Sequence, residues 1–218
     1  MNKKGFIFDL DGVIVDTAKY HFLAWKDLAN SIGVNFTHEQ NEQLKGVSRV
    51  KSLEKILAWG NKTISEKQFQ DLMTEKNEDY LHYINKMDES EILPDVPRVL
   101  NFLRKNNQPI ALGSASKNAR TILAQVNLLN KFDAIVDGTN VSKAKPDPEV
   151  FLIAADLIKV KPKHCIVFED SLAGIEAANT ANMLSIGIGH KDILKEADYI
   201  FNDFTEIDTN FLKKLINK

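Results

Sequence analysis

Two carboxylates one residue apart, Asp9 and Asp11, follow an apolar run and precede a glycine in Phe6-Ile7-Phe8-Asp9-Leu10-Asp11-Gly12-Val13. On an extended chain, side chains two apart point to the same side, so both carboxylates can address one ligand. Their mutual repulsion calls for a cation or a shared proton. Magnesium takes oxygen ligands, typically one or two carboxylates plus substrate phosphates. A carboxylate can also attack phosphorus and become an aspartyl-phosphate. A second acidic pair, Glu169-Asp170, ends another apolar run at 164–168 and is the expected complement of the first in a cation site. An isolated Asp-x-Asp-Gly also occurs as a solvated turn, so the surroundings decide between the two.

Cationic and hydroxyl-bearing residues recur just ahead of helical patterns, where backbone N–H groups favour an anion. Gly46-Val47-Ser48-Arg49 leads into Val50, Leu53, Ile56 and Leu57, which share a helical period. Ser114-Ala115-Ser116-Lys117-Asn118 follows the apolar run 109–113, and Lys145 stands before Pro146-Asp147-Pro148. Each has a plainer reading: Ser48, Ser116 or Asn118 as a helix cap, and Lys145 as surface. Lys76 interrupts the apolar stripe Phe69, Leu72, Met73, Tyr80, Leu81 and Ile84; it either snorkels to water or meets an anion in a polar cleft. His21 and Trp25, four apart, lie on one helix face, either towards a ligand or as ordinary surface and core.

These residues need a scaffold that brings them together. Apolar runs bounded by turn signals at 6–8, 109–113, 133–138, 164–168 and 183–189, with 199–201 as a sixth, read as strands. Helical patterns separate them from 93 onward, which predicts an α/β fold with a doubly wound parallel sheet. In such sheets the ligand crevice lies outside the carboxyl ends of the strands, where Asp9, Ser114 and Glu169 would stand. Pro146 denies Lys145 the α conformation, and Pro148 can begin the helix that runs to Ile158. Between 16 and 92 only helices are read: 17–32, one from Val50 and one opened by Ser65 and Glu66. The chain is therefore expected to fold as a core of residues 1–15 and 93–218 with an α-helical cap, 16–92, inserted after the first strand.

The 218 residues, 44% hydrophobic and 27% charged, suffice for a core and a smaller accessory domain. A net charge of −2 gives no basic field for nucleic acid. Cys165 is the single cysteine, which excludes an intrachain disulfide and places it in the core. No run approaches membrane-spanning length and the start does not resemble a signal peptide, so no membrane partner and a cytoplasmic location are expected, and a monomer is taken as the default.

Taken in order, Asp9-Leu10-Asp11-Gly12-Val13, Ser114, Lys145-Pro146 and Glu169-Asp170 resemble the four motifs of the haloacid dehalogenase superfamily of phosphotransferases. The segments Asp16-Thr17-Ala18, Tyr20-His21-Phe22, Ala24-Trp25-Lys26, 43–49, Lys76-Asn77, 114–118 and 169–174 extend the likeness, over nearly the full length, to its β-phosphoglucomutase family. Gly113, where that pattern suggests a small residue such as alanine, and Lys143-Ala144 depart from it. The resemblance implies reversible conversion of β-D-glucose 1-phosphate to glucose 6-phosphate, with glucose 1,6-bisphosphate as intermediate and activator. It makes Asp9 the nucleophile and Asp11 the general acid/base, with Ser114 and Lys145 on the transferring phosphoryl group. It implies Mg²⁺ at Asp9, Asp11 (through its backbone carbonyl), Asp170 and Glu169. Sugar phosphates would be bound by His21, Trp25, Gly46, Val47, Ser48, Arg49, Ser52 and Lys76 from the cap, and by Ser114, Ala115, Ser116, Lys117, Asn118 and Lys145 from the core. Two other functions fit part of the pattern: a sugar-phosphate phosphatase on the same scaffold and a non-catalytic sugar-phosphate sensor.

Overall fold

A computed structural model describes residues 3–44 and 47–217. Six short strands form one parallel sheet: β1 (Gly5–Phe8), β2 (Ile110–Gly113), β3 (Ala134–Val136), β4 (Cys165–Glu169), β5 (Leu184–Ile188) and β6 (Tyr199–Phe201). Their order is β3-β2-β1-β4-β5-β6. The winding direction reverses between β1 and β4, and the two align with Phe8 opposite Phe168. The switch point of the sheet, where a ligand crevice opens, therefore lies beside Asp9 and Glu169.

Alternation along β1 explains why its run is apolar on both faces. Phe6 and Phe8 face one layer, with α5 (Val96–Lys105), α6 (Ala119–Gln125) and α9 (Thr209–Asn217). Ile7 faces the other, with α7 (Glu149–Leu157) and α8 (Leu172–Thr180). The rings of Phe8 and Phe168 stack at 4.6 Å, just beneath the two acidic strand ends. Each such ring contributes about 1.5–3 kcal/mol by burial, which fixes the strand ends that carry Asp9 and Glu169.

Between β1 and β2 the described residues form α1 (Ala18–Ser31), α2 (His38–Glu42), α3 (Arg49–Trp59) and α4 (Glu66–Ile84), and no strand. Phe22, Trp25 and Leu28 of α1 pack with Leu53 and Ile56 of α3 in a core of their own. Tyr80 and Ile84 at the end of α4 join the core above the sheet instead. The two passages between sheet and helices run side by side. Val15 bridges Ile92, Asp16 N–H donates to the Glu91 carbonyl at 3.1 Å, and Leu93 N–H donates to that of Ile14 at 3.0 Å.

Three details differ from the sequence reading. The short helix α2 has no counterpart there, although Thr37 and Gln40 form a reciprocal capping box, a signature readable in T-x-x-Q. Pro148 caps α7 and Glu149 begins it. Glu169 belongs to β4 itself, because its backbone still pairs with Gly187 of β5.

Candidate active site

Asp9 is the first residue beyond β1, and its N–H still donates to the Phe168 carbonyl at 2.9 Å. That bond continues the β1–β4 pairing and aims the carboxylate out of the sheet end. Lys145 reaches it from the loop before α7: its Nζ donates to Asp9 Oδ1 at 2.6 Å and to Glu169 Oε2 at 2.8 Å. All three side chains are buried. The other oxygen of Glu169 accepts from the N–H and hydroxyl of Ser171, at 3.1 and 2.6 Å. The Lys145–Pro146 peptide is cis, and Lys145 Nζ also lies 4.8 Å from the Phe151 ring centre.

Oxygens of Asp9, Glu169 and Asp170 come within 4.8 Å of one another, a spacing that can hold a metal ion. Gly12 makes room: its φ is +80°, and a Cβ there would stand 2.2 Å from Asp170 Oδ2. The Asp11 side chain takes no part in this convergence. It accepts a hydrogen bond from the Thr17 hydroxyl at the base of α1.

Burial, then Glu169, pushes the Asp9 carboxyl up to about 8 against the pull of Lys145. Burial likewise raises Asp11, with Thr17 opposing. Burial works against the charge of Lys145, but Asp9 and Glu169 outweigh it and its pKa is raised. Lys145 alone thus leaves the carboxylates short of positive charge. An oxygen-only, acidic donor set in that condition suits a hard divalent cation.

A cavity of about 890 Å³ opens over these groups. Every site residue expected from the sequence lines it, apart from Gly46, which lies outside the described residues. On the sheet side, Ser114 Oγ accepts from Ser116 N–H and Ser116 Oγ from Asn118 N–H, folding 114–118 into a tight turn ahead of α6. Ser48 caps α3 through Lys51 N–H while Arg49, Ser52 and Val47 face the cavity. The plainer cap reading of Ser48 is therefore correct without removing it from the site.

Lys76 does not snorkel. It is 2% exposed, with Nζ 4.9 Å from the Trp25 ring and 4.4 Å from that of Tyr80. Burial, then Arg49, pulls it down to about 7. Its Nζ lies 3.0 Å from His21 Nδ1; when Lys76 carries its proton the ammonium donates there and the imidazole holds its own proton on Nε2. Burial, then Lys76 and Arg49, keeps the His21 pKa well below its ordinary value, so the ring is neutral. His21 stacks on Tyr80 at 4.2 Å.

Sequence reasoning gives no role to four residues of this site. Tyr80 counts there as one apolar position of a helix, yet its buried hydroxyl has no well-formed hydrogen bond and shares the cavity with Asp11. Thr17, Asn77 and Ser171 lie in segments that carry the family likeness but act through side-chain contacts that no spacing displays.

A phosphotransferase is the class that this sheet, its switch-point carboxylates and its cap define, and the chain belongs to the haloacid dehalogenase-like hydrolase family, whose model matches residues 3–182. β-Phosphoglucomutases are among its relatives. That of Bacillus subtilis is 43% identical over 96% of this chain and 93% of the relative. The crystal structure of β-phosphoglucomutase from Clostridium difficile superposes with a TM-score of 0.94 at 41% identity, covering 100% of this chain and 98% of the other. A fructose-1-phosphate phosphatase of Escherichia coli is 31% identical over 84% of this chain and 95% of that protein.

Proposed function

We propose that this chain is a β-phosphoglucomutase that interconverts β-D-glucose 1-phosphate and glucose 6-phosphate through an aspartyl-phosphate on Asp9. The observation that supports this reading is that cationic side chains meet one cavity at two places: Lys145 on Asp9 at the sheet end, Arg49 and Lys76 on the cap side. A bisphosphate needs both, while a phosphatase needs one. The phosphatase and sensor readings gain no observation of their own.

In the forward direction the sugar's 6-hydroxyl oxygen attacks phosphorus on Asp9, and Asp11 takes the hydroxyl proton. The new oxygen–phosphorus bond forms as the Asp9–phosphorus bond breaks, giving β-glucose 1,6-bisphosphate. After this intermediate turns end for end, Asp9 attacks the 1-phosphate and Asp11 returns the proton to the departing sugar oxygen. Glucose 6-phosphate leaves and Asp9 is phosphorylated again. Ser114 and Lys145 hold the moving phosphoryl group. Arg49, with Ser48, Ser116, Lys117 and Asn118, holds the distal phosphate, for which a planar guanidinium is suited. Lys76, His21 and Trp25 contact the sugar phosphate from the cap. Mg²⁺ would be held by Asp9, Asp170 and the Asp11 backbone carbonyl, with Glu169 beside it, and when bound supplies charge neutralisation on the phosphoryl oxygens.

In this reading residues 1–15 and 93–218 are the catalytic core and 16–92 the cap, in a cytoplasmic monomer. No helix among the described residues is long and apolar enough to cross a membrane. The test supplies β-glucose 1-phosphate, Mg²⁺ and a trace of glucose 1,6-bisphosphate, and records glucose 6-phosphate and inorganic phosphate together. Glucose 6-phosphate with little phosphate is expected from the β anomer and none from the α anomer, and Asp9→Asn abolishes it. Phosphate released in step with substrate loss overturns the proposal in favour of a phosphatase.

A further inference from the structure

Asn77 follows the buried Lys76 on α4 and has no part in the chemistry above. Its Oδ1 accepts two hydrogen bonds from different regions: Arg49 Nη2 at 2.7 Å, from the first residue of α3, and Asn118 Nδ2 at 3.1 Å, from the residue just before α6. One neutral oxygen thus joins the helices above the cavity to the sheet-side turn below it. The two donors are also groups that the mutase reading aims at the distal phosphate. Among the described residues no carboxylate pairs with Arg49, so Asn77 is its acceptor.

We propose that Asn77 is a positioning residue that latches the cap to the core. It holds Arg49 and Asn118 at a common point across the cleft and keeps water from the aspartyl-phosphate until sugar phosphate arrives. The proposal rests on the mutase reading for its substrate. The chemistry of the acceptor fits the task. The Arg49–Asn77 bond has one ionised partner, whereas a guanidinium on a phosphate pairs two opposite charges and can bond through two parallel N–H groups. The distal phosphate therefore takes over the two donors, and the latch gives way to its ligand. A carboxylate in the same place would hold Arg49 too tightly and repel the phosphate.

That contrast supplies the experiment. Asn77→Leu removes the acceptor, and Asn77→Asp keeps it but makes it anionic. Each protein is phosphorylated with acetyl phosphate, which has no second phosphate, and the aspartyl-phosphate is followed without sugar. Its decay is attack of water on phosphorus, breaking the Asp9–phosphorus bond and releasing inorganic phosphate. In Asn77→Leu the decay is expected to quicken on the order of tenfold, the usual scale for losing a hydrogen bond to a charged group. Phosphorylation itself should not slow, since Asn77 does not touch Asp9. In Asn77→Asp the decay should stay at the parent rate, while KM for β-glucose 1-phosphate rises on the order of tenfold or more. Parent-like decay in Asn77→Leu overturns the proposal, and so does Asn77→Asp decaying as fast as Asn77→Leu. Failure of the parent protein to make glucose 6-phosphate would sink the mutase reading alone, because the acetyl phosphate comparison reads the latch without sugar.

Discussion

Lys145 is bound on one side by the acid that would become phosphorylated and on the other by Glu169, with all three buried. Removing one member of a buried ion cluster strands the others, typically at about 3–5 kcal/mol. Lys145→Ala should therefore lose both activity and stability, the second measured by denaturant unfolding without metal. Added Mg²⁺ should recover part of the stability, because the stranded carboxylates then have a cation. Lys76 presents the opposite problem, an ammonium buried with no carboxylate in contact among the described residues. Its pKa falls to about 7 in the folded protein from an ordinary 10.5. Between those values the unfolded chain binds a proton that the folded chain does not, so stability rises with pH across that window, by at most about 1.4 kcal/mol per unit. Below pH 7 both states carry the proton and the full cost of burying it remains. Lys76→Met should flatten that rise in unfolding titrations. The same deprotonation weakens anion binding, so KM for β-glucose 1-phosphate should climb above pH 7 in the parent and not in Lys76→Met.

At the level of elements, the sheet is legible in the sequence alone. Each of its strands is an apolar run ending in turn residues: β1, β2 and β4 are buried on both faces, and β6 at the sheet edge is half-buried. The site residues at strand ends follow from that, since Asp9, Ser114 and Glu169 need only the strand to be placed. Less visible is what depends on side chains meeting across elements: Asn77 on Arg49 and Asn118, Thr17 on Asp11, Ser171 on Glu169. Lys76 leaves its direction open because a lysine on an apolar stripe reads the same whether it turns out or in. The departure at Gly113 has a packing cause. A Cβ there would lie 2.9 Å from Phe151 Cδ1 and 3.2 Å from Ile7 Cγ2, so α7 packs on β2 too closely for the expected alanine. Gly113→Ala should destabilise by about 1–3 kcal/mol, the usual cost of overpacking. Trimming the obstacle with Phe151→Leu in the same chain should recover part of that, so the two changes should not add. Chemical denaturation of both single variants and the double variant measures the coupling, and simple additivity would refute the steric account.

The whole molecule carries a net charge of −2, yet four carboxylates gather around one sheet switch point with Lys145 as the cation in contact. That concentration is tolerable only because the fold assembles it from β1, β4 and the turns that follow them. The unfolded chain keeps Asp9 and Asp170 far apart in sequence and has no such site. A divalent cation that binds there binds the folded state alone, so its affinity appears as stability. At a free concentration a hundred times its Kd the gain is about 2.7 kcal/mol. A chain of this length gains roughly 2–4 °C per kcal/mol, so Mg²⁺ should raise Tm by roughly 5–11 °C over the chelated protein. Asp170→Ala removes one oxygen donor without touching the Lys145 contacts, and its melting should be nearly indifferent to Mg²⁺. Lys76→Met leaves the acidic cluster whole and should keep the parent shift, which separates metal binding from the cap. Equal Mg²⁺ shifts in the parent and Asp170→Ala would place the cation elsewhere and break the link between the carboxylate cluster and the phosphoryl chemistry.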